Sequence, residues 1–238
     1  MENADISNDT IIYHYMDITH LCAMLDSGTF YISQKVVFKD HYEQELLPQK
    51  QYFAFTPVGA NIPSQNASSL QSDINKEREH YKAMSTTLTS CWALGPYENE
   101  LMWRSYTKPC SGVCLQTTIG KFVESLITDS FEIYCGKIIY TKRGQCTKAI
   151  DAEWMKNPEY SGEREIRFYF KKTHLAPFPS YDDNNRVFVG VDYRKLLDKI
   201  ILSPFMRINE INQWKRYLAN SYAVEEKKIV KSAISLNP

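Results

Sequence analysis

The segment SGEREIRFYF, residues 161–170, brings two carboxyl groups and a guanidinium group close together in the chain. In a β-strand, side chains alternate between two faces, so Glu163, Glu165 and Arg167 would share one face at intervals of roughly 7 Å. The apolar residues between them would then enter the core. A carboxylate held by an adjacent Arg and facing a cleft could bind a sugar hydroxyl or stabilise a cation. The same pattern also fits the exposed, charged face of an edge strand.

A second group of side chains lies in the segment ELMWRSY, residues 100–106. On a helix, Met102 and Tyr106 share a face and Trp103 lies beside both. We expect Met102 to fill the core. Trp103 and Tyr106 have polar ends that can stay in water while their rings stack on a planar ligand.

A third candidate, His14, lies between two tyrosines in a segment that predicts a strand. The tyrosines would point to the opposite face, and a lone strand histidine is more often structural than functional. Cys110 and Cys114 have no His or Cys pair at ligand spacing nearby, so we predict no metal site. The sequence also lacks the glycine-rich nucleotide loops and the HExxH and GxSxG motifs.

The elements that must position these residues are short strands and short helices. Strands are predicted at 11–15, 29–33, 86–93, 112–118, 132–141, 164–171, 186–192, 200–203 and 228–234. Helices are predicted between Asp17 and Gly28, over 68–83, after Asn99, and at 119–128, 193–199 and 208–220. Regular long helices between strands are missing, which argues against a doubly wound sheet. The pattern predicts a single α+β domain, a mixed β-sandwich with short interposed helices, whose core covers 11–204 and whose C-terminal helix and strand cover 208–234.

Composition limits the classes of protein further. The chain has 238 residues and no net charge, but residues 1–110 carry a net −5 and the remainder a net +5. A basic C-terminal face that binds nucleic acid is therefore one interpretation, and ordinary solvated lysines are another. No apolar run approaches the roughly 20 residues of a membrane span, and no signal peptide is evident. We expect a cytoplasmic protein with reduced thiols.

Several blocks of the sequence together resemble a poorly characterised bacterial domain family that is common near phage-defence and toxin–antitoxin genes. These blocks are IYHYMDITHLCAMLDSGTFYIS, FKDHYE, TSCWALGPYENELMWRSYTKPCSGVCLQ, KIIY and GEREIRF, and they extend from about residue 11 to 204. The opening block also resembles the ADP-ribosyltransferase fold, especially its DNA-modifying toxin branch. In that fold a His on an early strand binds NAD, and a later strand carries the catalytic Glu, frequently in a Glu-x-Glu pair.

This resemblance implies a role for each candidate residue. Glu165 becomes the catalytic carboxylate and Glu163 its assistant, while His14 becomes a ligand of the NAD ribose. Ser33 takes the place of a supporting Ser, and Trp103 and Tyr106 would stack near nicotinamide or shape the acceptor pocket. The remaining candidates for the NAD site are Arg104, as a loose equivalent of the Arg of the DNA-modifying branch, and Arg167, beside the Glu pair.

The resemblance further implies a defence toxin that moves ADP-ribose from NAD to a macromolecule, which an antitoxin protein could restrain. We expect a nucleic-acid acceptor, RNA ahead of DNA, with Lys171 and Lys172 as phosphate contacts. A protein acceptor is the close alternative, and simple NAD hydrolysis needs the same donor site. A further alternative is a sensor or partner-binding module without enzymatic activity. Such a module would keep the fold, but His14, Trp103 and Glu165 would not need to meet in one cleft.

Overall fold

The computed structural model describes residues 6–34, 88–128, 131–142, 154–172 and 186–235. The helix predicted over 68–83 lies outside these residues, as does the side chain of Lys172. None of the described helices is long and apolar enough to cross a membrane.

Short strands dominate the described part of the chain. The strands are β1 (Ile11–Asp17), β2 (Thr29–Gln34), β3 (Leu88–Leu94), β4 (Gly112–Thr118), β5 (Leu126–Ile127), β6 (Phe131–Lys137), β7 (Ile139–Tyr140), β8 (Met155–Lys156), β9 (Glu165–Lys172), β10 (Arg186–Val191), β11 (Lys199–Leu202) and β12 (Ile229–Lys231). The α-helices are α1 (Ile18–Ser27), α2 (Glu100–Tyr106), α3 (Ile119–Ser125), α4 (Tyr193–Leu196) and α5 (Ile208–Tyr222), and 3-10 helices cover Pro158–Glu163 and Glu226–Lys228.

Ten of these strands form one mostly antiparallel sheet, which confirms the predicted α+β class. The order is β12-β11-β4-β1-β3-β2-β10-β5, and β9 joins it by pairing with β3 on one side and β6 on the other. Within this sheet β11 and β12 run parallel. Strands β7 and β8 form a separate parallel pair.

Strand β3 is where the sheet divides. One edge of β3 pairs with β9 along almost its whole length. The opposite edge pairs with β1 only at Ala93 and Leu94, and with β2 only at Leu88 and Thr89. Both neighbours therefore separate from β3 around Ser90–Trp92, which opens a gap between the two strands.

The main core lies on one face of this sheet and is rich in aromatic side chains. Trp92 and Phe122 pack with ring centroids 4.7 Å apart, and Phe122 and Phe168 with centroids 4.6 Å apart. The apolar residues of β9 that were predicted to enter the core, Ile166, Phe168 and Phe170, are all buried there. Such tilted and edge-to-face ring contacts add to the stabilisation that burial alone provides.

The structure corrects the prediction for the acidic segment in two ways. Glu163 is not on the strand, because it ends the 3-10 helix, and Arg164 follows with φ 48° and ψ 52°. Strand β9 is not an edge strand, since it lies between β3 and β6. Its charged face is buried, with Glu165 5% exposed and Arg167 0% exposed. The interpretation as a solvated strand face is therefore wrong.

Other predicted boundaries shift by a few residues. The helix predicted at 119–128 ends at Ser125, and the chain continues directly into β5. The strand predicted at 132–141 is divided at Ile138 into β6 and β7. The first break has no glycine or proline beside it, so composition gave no signal there, whereas Gly136 lies two residues before the second break.

The left-handed conformation of Arg164 generates a stability prediction. A β-branched side chain tolerates this backbone conformation poorly, whereas glycine adopts it freely. We expect Arg164→Val to lower the free energy of unfolding by about 1–2 kcal/mol, and Arg164→Gly to change it by no more than about 0.5 kcal/mol. Urea denaturation of both variants measures this, and equal losses would show that the side chain of Arg164 matters rather than its backbone.

Candidate functional site

A pocket of about 760 Å³ lies at the gap where β1 and β2 separate from β3. Volumes of roughly 300–1,000 Å³ are usual for small-molecule sites. Strands β1, β2, β3, β8 and β9, helix α2 and the first 3-10 helix all contribute to its wall. The polar side chains that line it include His14, Ser33, Thr89, Tyr106, Lys156, Glu163, Glu165 and Arg167.

The carboxylate of Glu165 is held by two cations. Its Oε1 accepts hydrogen bonds from Nε and Nη2 of Arg167, both at 2.7 Å. Its Oε2 accepts a hydrogen bond from Nζ of Lys156 at 3.1 Å. All three side chains are almost fully buried, so these contacts experience little screening by solvent.

The second carboxylate, Glu163, shares the same lysine. Nζ of Lys156 donates to Oε2 of Glu163 at 2.8 Å, and the hydroxyl of Tyr106 donates to Oε1 at 2.7 Å. The ammonium group also lies 4.8 Å from the ring centroid of Tyr160, as in a cation–π contact. The turn at Arg164 makes this possible, because it allows both carboxylates to reach one ammonium group.

Sequence analysis did not identify Lys156, although it is the bridge between the two carboxylates. It lies in the two-residue strand β8, seven residues before Glu163, in a segment with no periodic pattern. The bridge depends on the folding of the 3-10 helix back over β9. No motif or spacing in the sequence indicates that contact.

The charges of this cluster decide the protonation state of Glu165. Burial tends to raise the pKa of its carboxyl group, but the positive charges of Arg167 and Lys156 outweigh it and lower the pKa below the ordinary value. Glu165 is therefore ionised at neutral pH. For Tyr106, burial and the neighbouring Glu163 carboxylate raise the pKa of the phenol, so its hydroxyl stays protonated and donates.

His14 occupies the gap beside β3. Its Nδ1 lies 3.0 Å from the backbone carbonyl oxygen of Cys91. Because a carbonyl only accepts, Nδ1 carries the proton and Nε2 is an acceptor. That Nε2 is buried and has no hydrogen-bond partner within the described part of the chain. The ring packs against Trp92 and Phe30, and burial lowers the pKa of His14 from 6.5 to about 4, so the imidazole is neutral.

The structure therefore brings together most of the predicted site residues. His14 lines the pocket from β1 and Ser33 from β2, and Tyr106, with 48% of its surface exposed, lines it from α2. Glu165 and Arg167 complete the wall from β9. These residues were predicted from residue type and resemblance, and the structure places their side chains around one pocket.

Two predicted contacts are placed elsewhere. Trp103 is completely buried, its Nε1 donates to Glu98 at 3.0 Å, and its ring meets Tyr15 edge-on in a second, smaller core. Arg104 points to solvent, where it pairs with Glu100 at 2.7 Å. Neither side chain lines the pocket, because α2 turns its Trp103 face toward β1.

The predicted phosphate contacts are also distant from the carboxylates. Lys171 is exposed and lies on β9 six residues beyond Glu165, which corresponds to about 20 Å along a strand. The backbone of Lys172 ends the strand. Lys171 therefore lies outside the pocket wall.

No group of three or more His, Cys, Asp or Glu side chains in the described residues is arranged to hold a metal ion. Comparison with known proteins adds no identity: no protein-family model matches the sequence. No curated protein matches it either.

The neutral state of His14 predicts a pH dependence of stability. Its folded pKa of about 4 lies below 6.5, so the unfolded chain takes up the proton first. Stability should thus be lost as the pH falls from about 6.5 to 4, by up to about 3 kcal/mol. His14→Gln keeps a donor for the Cys91 carbonyl but does not titrate, so this part of the loss should disappear. Denaturation curves across this range test it, with His20→Gln on the exposed surface of α1 as the control.

The bridging lysine generates a second prediction. Lys156→Met leaves two buried carboxylates without their shared cation, which should cost about 3–5 kcal/mol at pH 7. Removing the Lys156 charge raises the pKa of Glu165, so the variant takes up a proton there before the wild-type protein does, and the difference in stability should shrink as the pH falls from 7 to 4. Thermal unfolding at pH 7 and pH 4 measures both effects, with Lys199→Met, at an exposed side chain that begins β11, as the control. A difference that stays constant with pH would mean that Lys156 contributes only packing.

Proposed function

We propose that this chain is an ADP-ribosyltransferase-like enzyme that cleaves the bond between nicotinamide and ribose in NAD and transfers ADP-ribose to a macromolecule. One observation carries the proposal: His14 lies far from Glu163 and Glu165 in the sequence, yet all three side chains line a single pocket. In this proposal the gap where β1 and β2 leave β3 is the NAD cleft of an ADP-ribosyltransferase-like sandwich.

Glu165 supplies the electrostatic part of the reaction. When the C1′–N bond breaks, its electron pair leaves with nicotinamide, and positive charge develops on the ribose. An ionised carboxylate fixed next to that carbon stabilises this charge more than it stabilises the substrate. Arg167 and Lys156 keep Glu165 ionised and oriented. The charges of Glu163, Glu165, Lys156 and Arg167 sum to zero. The cluster therefore acts on the substrate through the fixed orientation of its charges and not through a net charge.

His14 and Glu163 would bind the donor. The unpartnered Nε2 of His14 can accept a hydrogen bond from a ribose hydroxyl, which supports the role that the resemblance implies. Glu163, held by Tyr106 and Lys156, would accept from a second hydroxyl or from the incoming nucleophile. Hydrogen bonds to sugar hydroxyls that strengthen in the transition state contribute several kcal/mol in glycoside cleavage.

For the acceptor we propose a nucleic acid, RNA ahead of DNA. Two features support this: the resemblance to the DNA-modifying branch and the net +5 of residues 111–238. The exposed rings of Tyr106 and Tyr160 at the pocket could stack on an unpaired base. Lys171 could contact a phosphate only if the bound nucleic-acid strand extends along β9. A defence toxin of this kind would act together with an antitoxin protein.

The test must separate catalysis from folding, because Glu165→Gln removes a carboxylate that pairs with the buried Arg167. That loss should destabilise the fold by about 3–5 kcal/mol. The double variant Glu165→Gln, Arg167→Met removes both charges and should restore most of the stability. We expect NAD cleavage to fall by about 100-fold or more in both variants, because the stabilising charge is gone.

The measurement uses NAD labelled in its ADP-ribose part, incubated with RNA, DNA or cell protein. Glu159→Gln is the matched control, since Glu159 is an exposed carboxylate that lines the same pocket. Undiminished cleavage by a folded double variant would remove Glu165 from the mechanism. Label found in protein would mean that the acceptor is a protein and not a nucleic acid. Free ADP-ribose would indicate NAD hydrolysis. If the wild-type chain leaves NAD intact, the chain is a binding module without enzymatic activity.

A further inference from the structure

Helix α2, which carries Tyr106, is attached at its N-terminal end to the C-terminal segment of the chain. Glu98 makes this attachment. Its Oε2 accepts hydrogen bonds from Nε1 of Trp103 at 3.0 Å and from Oγ of Ser232 at 2.5 Å. Its Oε1 accepts a hydrogen bond from the backbone N–H of Ala233 at 2.9 Å. One carboxylate thus binds both the helix and the segment after β12.

An apolar contact reinforces this attachment. Trp103 belongs to the second, smaller core, and Val230 and Ile234, which flank the Glu98 contacts, pack against the same core. The core also contains Tyr15 of β1, whose hydroxyl accepts a hydrogen bond from the backbone N–H of Asn99 at 2.8 Å. The C-terminal segment therefore forms part of the surface on which α2 rests.

The opposite side of α2 is attached to the segment that carries Glu163. At the start of the helix, the side-chain amide of Asn99 donates to the carbonyl oxygen of Gly162 at 2.7 Å. At its end, Tyr106 donates to Glu163 at 2.7 Å. Between them, a Cβ on Gly162 would lie 2.8 Å from Cδ2 of Leu101, so the helix packs directly on this backbone. Displacement of α2 would move these contacts together.

We infer that Glu98 is a positioning residue that couples the C-terminal segment Ser232–Ile234, through α2, to the carboxylate of Glu163. The chain of contacts runs from Ser232 and Ala233 to Glu98, from Glu98 to Trp103, and from the end of α2 to Glu163. A partner that pulls this segment away would loosen Glu163 without touching the pocket. The consequence for catalysis rests on the proposed function, but the structural coupling does not.

Glu98→Gln is the sharpest variant. Three donors point at the two carboxylate oxygens, and a glutamine offers one oxygen and one NH₂ group in their place. One donor must then face another donor, and the charge that strengthens all three bonds is lost. Ser232→Ala is a milder second variant, because it removes one donor and leaves the carboxylate. Glu225→Gln is the control, since Glu225 is an exposed carboxylate near the same segment, paired with Lys227.

Hydrogen exchange in the full chain measures the coupling independently of any activity. In Glu98→Gln we expect exchange of the backbone amides of 100–106 to rise by about 10-fold or more, and that of 158–165 to rise with it. Ser232→Ala should raise both by a smaller factor, and Glu225→Gln should leave both unchanged. The inference is overturned if 100–106 is unaffected, if 100–106 responds while 158–165 does not, or if Glu225→Gln has the same effect. Ser232→Ala decides the question if Glu98→Gln does not fold.

NAD turnover gives the second measurement. If Glu98 positions Glu163, Glu98→Gln should lower kcat by about 10-fold and NAD affinity, measured by calorimetry, by a smaller factor, because Glu163 is loosened while His14 stays in place. A loss of affinity with unchanged kcat would contradict a positioning role. If the wild-type chain does not cleave NAD, the proposed function fails, and the exchange result still decides whether the coupling exists.

Discussion

A buried carboxylate at the start of the central strand β9 imposes the main constraint on this structure. Glu165 is ionised although it is 5% exposed, and an isolated buried charge of this kind would cost several kcal/mol or more. Arg167, two residues along the same face, offsets part of that cost. The rest depends on Lys156, which the chain supplies by placing β8 and the 3-10 helix beside the start of β9. The elements around the pocket are thus arranged so that the Glu165 carboxylate is paired with both Arg167 and Lys156.

The pocket itself results from incomplete strand pairing. Along Ser90–Trp92 the edge of β3 is not covered by β1 or β2, so backbone groups there need other partners. The imidazole of His14 provides one by bonding the Cys91 carbonyl. That bond fixes the tautomer and leaves Nε2 as an acceptor in the wall. The same gap thus creates both the space for a ligand and an atom able to bind it.

The sequence allowed the β9 part of the site to be predicted, because strand alternation is a strictly local rule. Ile166 and Phe168 were expected in the core and Arg167 on the face of Glu165, and all three are found there. Glu163 escaped the rule because one residue in the left-handed conformation, Arg164, interrupts the strand pattern. The α+β class also followed from local patterns, since short strands and short helices have distinct periods.

The remaining errors share one cause, which is that they depend on contacts between distant segments. Helical spacing placed Trp103 and Tyr106 near each other, but it could not say which of the two would face β1 and which the pocket. The choice is made by Glu98, whose carboxylate accepts from the indole, and by Glu163, which accepts from the phenol. The Glu163 contact is long-range, and Glu98, although close to Trp103 in the sequence, is itself bound by Ser232 and Ala233 of the distant C-terminal segment.

The orientation of α2 links the two cores of the protein to the proposed chemistry. If Trp103 faced the pocket, the second core would lose its largest side chain, and Glu98 would lose a donor. With Trp103 buried, the phenol of Tyr106 is left to hold Glu163 at the surface of the cluster, where the ring stays half exposed. One orientation of α2 therefore both packs Trp103 into the second core and places the Tyr106 hydroxyl where it binds the Glu163 carboxylate. A change at Trp103 or Ile201, which belong to the second core but do not line the pocket, should therefore be felt at Glu163.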